Sequence, residues 1–85
     1  MDPDYLLVRY FGDTQPSRLS AAAQAAGVER LRTDFRFEQD RGTRFALWAL
    51  MHMLGIAPDL DTVFESADDR DAARTFADLL AAGEA

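Results

Sequence analysis

Few side chains in this sequence are equipped for chemistry: one histidine, His52, no cysteine, and three serines, Ser17, Ser20 and Ser66. General acid–base catalysis needs convergent groups of tunable protonation, and covalent catalysis needs a nucleophile beside a base. His52 lies inside an apolar run with no serine or aspartate close in sequence, which suits an imidazole used for packing or at an interface rather than in a triad. Asp59-Leu60-Asp61 begins like a calcium loop, but Phe64 stands where the loop requires glycine and Arg70 where its closing glutamate belongs. The separated glycines form no phosphate-cradling motif. This inventory predicts no catalytic residue, no metal ligand and no cofactor.

Cations are the next candidates. Arg30, Arg32, Arg36 and Arg41 fall within one short stretch, and the residues before them, Leu19 to Val28, are alanine-rich and close on Ala26-Gly27. That stretch resembles the first helix and turn of a helix-turn-helix, where small residues let two helices pack closely. The resemblance implies a recognition helix over residues 29–41, with the four arginines facing DNA. Thr33 departs from it, since that motif buries an aliphatic residue there. Glu29, Asp34, Glu38 and Asp40 also nearly cancel the arginines, whereas DNA affinity rests on net phosphate neutralisation. All nine basic residues are arginine, so a compositional bias explains the choice without a bidentate site. A DNA-binding regulator using residues 19–41 is therefore the alternative expectation.

The leading expectation comes from apolar surface. Residues 43–54 are apolar nearly all round and include Phe45, Trp48, Met51 and His52, and tryptophan and methionine are favoured at interface anchors. The net charge of −6 is carried by the last third: residues 59–85 hold eight acids against Arg70 and Arg74, while residues 1–58 balance. The sequence thus predicts a non-enzymatic interaction module, a homodimer, adaptor or inhibitor. Phe45, Trp48, Met51 and His52 would contact a protein partner or a second copy, with Asp68, Asp69 and Asp71 as an acidic rim.

These residues need elements to hold them, and the patterning predicts an all-α domain of four or five short helices spanning residues 1–85, with residues 43–54 as the central helix. Asp2 and Pro3 suit a helix start over residues 2–11. Ser17 would cap a second helix whose buried face is Leu19, Ala22, Ala23 and Ala26. Gly27, Gly55 and Gly83 follow apolar runs, where left-handed C-terminal caps belong. Val28, Leu31 and Phe35 could line a further helix. Residues 5–11 and 33–38 also carry strand-like alternation, which leaves a two-stranded sheet as the minority alternative. Leu60, Val63 and Phe64 share a face of a short turn, and Ser66 with Asp69 starts the last helix, with Ala72, Ala73, Phe76, Leu79 and Leu80 inward. No apolar run is long enough to span a bilayer and the first residues are acidic, which predicts a cytoplasmic protein without membrane attachment.

Overall fold

The computed structural model describes residues 3–84. Among these described residues five α-helices follow in chain order: α1 Pro3–Phe11, α2 Ala21–Phe37, α3 Arg41–Met53, α4 Leu60–Val63 and α5 Ala67–Glu84, with a 3-10 turn at Pro16–Arg18 between α1 and α2. The fold is all-α, and no strand occurs among the described residues. Both strand-like segments are helical, because intrahelical hydrogen bonding needs no partner strand whereas an isolated pair is marginal. None of the described helices is long and apolar enough to cross a membrane. Asp2, expected to cap α1, lies outside the described residues. By contacts the chain sorts into two units, residues 1–47 and 48–85, and α3 contributes its first half to one and its second half to the other.

In the first unit α1 stops at Gly12, whose φ of +72° is the left-handed conformation that glycine adopts without penalty, and whose N–H donates to the Val8 carbonyl at 2.8 Å. The second helix starts three residues later than its sequence suggests. Ser20, not Ser17, is the cap, accepting from the Ala23 N–H at 3.1 Å, while Ser17 lies in the 3-10 turn.

The larger departure is at Gly27. It does not end a helix: α2 runs through it for 17 residues and buries Gly27, Leu31 and Phe35, one to two turns apart, while Ala22, Ala23 and Ala26 face solvent. Bulkier groups fix which stripe turns inward. Gly27 is there for closeness, since a Cβ at this position would fall inside contact with the Phe11 ring and only 2.8 Å from the Tyr10 carbonyl oxygen. Arg44 then ties α3 back to the end of α2, its guanidinium 4.1 Å above the Phe35 ring and donating to the Phe35 carbonyl at 2.6 Å. Asp40 starts α3 two residues before the expected Thr43, because its Oδ2 accepts both the N–H and the hydroxyl of Thr43 at 2.9 Å. Those bonds hold the Asp40 carboxyl below its ordinary range.

In the second unit α3 ends where the sequence indicates. Gly55 takes φ +77°, its N–H donates to the His52 carbonyl at 3.0 Å, and the Ile56 N–H reaches back to Met51 at 2.9 Å, the paired bonds of a Schellman cap. Asp59 caps α4 by accepting from the Asp61 N–H at 3.0 Å, and Ser66 caps α5 through the Asp69 N–H at 3.4 Å. Arg70 donates to the carbonyls of Phe64 and Glu65, which closes the α4–α5 turn. Helix α5 continues through Gly83, so that glycine is not a cap. Ala73 is fully buried, but Leu79, expected inward, is 68% exposed and Ala72 is exposed too.

Candidate functional site

The residues expected to dock a partner divide by burial. Trp48 and Met51 are only 2% and 1% exposed, so they belong to the core and cannot anchor a partner as placed. The indole stacks on His52 with ring centroids 5.1 Å apart, meets Phe64 and Phe76 edge-on, and donates from Nε1 to the Pro58 carbonyl at 3.0 Å. His52 is half-buried between Trp48 and the edge of Phe76, an aromatic environment with a packing role. Phe45 is half-buried too. Of the acids, Asp68 and Asp71 are exposed and Asp69 is partly covered, while Arg74 bridges Asp61 at 2.8 Å and Asp71 at 3.5 Å. Negative charge in the first turn of α5 also complements the helix dipole.

The four arginines are all exposed, and three of them, Arg30, Arg32 and Arg36, ride on the unbroken α2. The turn at Gly27 on which the helix-turn-helix resemblance rests is absent. Arg30 donates to the Arg9 carbonyl at 3.1 Å and so helps join α2 to α1.

What the structure brings together lies elsewhere in the first unit. A half-open cleft of about 450 Å³ is formed by α1, the end of α2 and the start of α3, lined by Tyr5, Leu6, Arg9, Tyr10, Asp34, Phe37, Glu38, Thr43 and Leu47. Its floor is apolar and buried through Leu6, Tyr10 and Leu47, yet two aromatic rings at its walls remain open to water, Tyr5 at 57% and Phe37 at 71%. Helical geometry explains Phe37. Residues 35 and 37 lie about 200° apart around a helix axis, so burying Phe35 turns Phe37 outward.

The polar side of the cleft is ordered by one strong bond: the Tyr10 hydroxyl donates to Asp34 Oδ2 at 2.6 Å. Burial, then this bond and the negative charge of Asp34, push the Tyr10 pKa up to about 12. Arg9 lies with its guanidinium 5.7 Å from the Tyr10 ring centre, and a hydrogen bond with the Tyr5 side chain raises its pKa further. A phenol of that pKa stays protonated at neutral pH, so the Tyr10 hydroxyl is held as a donor to Asp34. Thr43 spends its hydroxyl proton on Asp40. Among the described residues no group of three or more His, Asp or Glu is placed to hold a metal ion.

A pH effect follows from the phenol. The folded pKa lies above the ordinary value near 10, so the Tyr10–Asp34 bond contributes in full below about pH 10 and is lost as the pH rises through about 12. Stability is expected to fall across that window, and Tyr10→Phe to flatten the fall. Urea unfolding from pH 9 to 12, with tyrosinate absorbance followed in parallel, measures both. Equal slopes in the two proteins would mean the bond does not form in solution.

The polar pair of the cleft did not stand out in the sequence, because Tyr10 and Asp34 are 24 positions apart and only the α1–α2 packing makes them neighbours. The one available signal was Phe37, an aromatic flanked by Arg36 and Glu38. Comparison of the chain with protein-family models, curated proteins and solved structures returned no match.

Proposed function

We propose that the chain is a small non-enzymatic interaction module that docks a segment of a partner protein in the cleft of its first unit. The observation that carries this reading is the pair of exposed aromatic rings, Tyr5 and Phe37, around a buried apolar floor. Rings left in water at a concave site are the side chains whose burial returns most on binding, and aromatic residues are enriched at interface centres. Fully burying one such ring contributes about 1.5–3 kcal/mol. The acids of the last third add a long-range field that draws basic partners and slows unwanted self-association.

Displayed peptide libraries selected against the wild-type chain test the proposal. The expected peptides share an apolar anchor and bind Phe37→Ser at least tenfold more weakly, a loss of about 1.4 kcal/mol. Because Phe37 is largely exposed, that variant should keep its thermal stability to within about 0.5 kcal/mol. Peptides that bind wild type, Tyr5→Ser and Phe37→Ser alike would place the docking surface outside this cleft. Light scattering across a dilution series addresses the homodimer form of the proposal: a dimer abolished by Phe37→Ser would make the docked partner a second copy of this chain.

A further inference from the structure

We infer that the cleft receives a basic side chain of the docked segment, a guanidinium or ammonium group set against the Tyr5 and Phe37 rings and the carboxylates of Asp34 and Glu38. This inference rests on the docking reading above and adds the chemistry of what docks. Asp34 on α2 and Glu38, the extended residue that caps its C-terminus and accepts the Asp40 N–H at 3.1 Å, both line the cleft. Two carboxylates lining one cleft disfavour each other's charge, and a cation bound there relieves that.

The cation present in the lining, Arg9, is already engaged with the Tyr5 side chain and the Tyr10 ring. Its position shows that an aromatic face of this lining, that of Tyr10, accepts a guanidinium, and the exposed Tyr5 and Phe37 rings offer further faces of the same kind. Asp34 accepts the Tyr10 hydroxyl at 2.6 Å, which orients its carboxylate before any ligand arrives. Two carboxylates against one occupied guanidinium make the lining net negative, which complements a cationic side chain.

The test uses three capped dipeptide amides, N-acetyl-Trp-Arg, N-acetyl-Trp-Gln and N-acetyl-Trp-Glu, titrated into the full chain and followed by amide chemical shifts of α1 and the end of α2. The arginine peptide is expected to bind about fivefold more tightly than the glutamate peptide, the range of one partly exposed charge pair, with the glutamine peptide between. Glu38→Gln should reduce that preference to about twofold, Arg9→Gln should strengthen the arginine peptide, and high salt should erase the difference. If the glutamate peptide binds as tightly as the arginine peptide, or if Glu38→Gln leaves the preference unchanged, the inference fails. In that case, weakening of every peptide by Phe37→Ser still supports docking in the cleft. If no peptide shifts the cleft resonances, the docking reading falls and the inference with it.

Discussion

Trp48→Ala is expected to destabilise the protein by about 3–5 kcal/mol, the range for emptying a buried tryptophan site. For an 85-residue chain this is a large share of an ordinary folding free energy of about 5–15 kcal/mol, and it lowers the melting temperature by about 15–30 °C. The size of the loss follows from what the indole does. It is 2% exposed, packs on the rings of His52, Phe64 and Phe76, and ties α3 to the segment before α4 through its bond to the Pro58 carbonyl. Trp48→Phe separates these contributions. A phenyl ring keeps part of the packing but loses the hydrogen bond, so it should cost less than alanine while still costing at least the bond, about 1 kcal/mol. Far-UV circular dichroism is the appropriate readout, because both variants remove the chain's one tryptophan. A loss under 1 kcal/mol for Trp48→Ala would mean that the indole is loosely held, and would restore it as a candidate interface anchor.

The same residue shows how much of the molecule was legible beforehand. Residues 43–54 read as a core helix because no polar face interrupts them, and Leu47, Trp48, Leu50 and Met51 are indeed buried. The sequence could not reveal that this chain covers them itself, since an apolar helix looks the same whether its own neighbours or a partner wraps it. Gly55 was readable as a cap because a glycine ending a run of helix formers has a strong backbone reason to be there. Gly27 and Gly83 look identical at that level, yet neither is a cap: Gly27 lies inside α2 and Gly83 within the last turn of α5. A close approach and a left-handed turn both select glycine, and only the packed neighbour distinguishes them. Residues 33–38 alternate as a strand does, yet the alternation arises because one phenylalanine is core and the other lines a cleft. The candidate site was illegible for a related reason. It is assembled from α1, α2 and α3, and its only sequence trace was a single aromatic among charges.

Gly27→Ala puts the close approach to a quantitative test, and its sign is informative. On helix propensity alone, alanine should stabilise α2 by about 1 kcal/mol. Against that stands the added methyl group, which would overlap the Phe11 ring and sit 2.8 Å from the Tyr10 carbonyl oxygen. The ring could rotate if it had room, but Phe11 is itself buried, and the carbonyl belongs to the backbone of α1. Overpacking of this kind costs about 1–3 kcal/mol, so the expected net result is destabilisation by up to about 2 kcal/mol. Gly83→Ala supplies the contrast. It is also helical, and a Cβ there meets nothing within 4 Å, so the same substitution should stabilise by about 0.5 kcal/mol. Urea unfolding of both variants reads the two signs directly. Two stabilised variants would mean that α1 does not pack against Gly27, and the cleft, which needs Tyr10 held beside Asp34, would lose its wall. Opposite signs would tie the glycine to the site: by letting α1 approach α2, Gly27 makes the Tyr10–Asp34 bond geometrically possible.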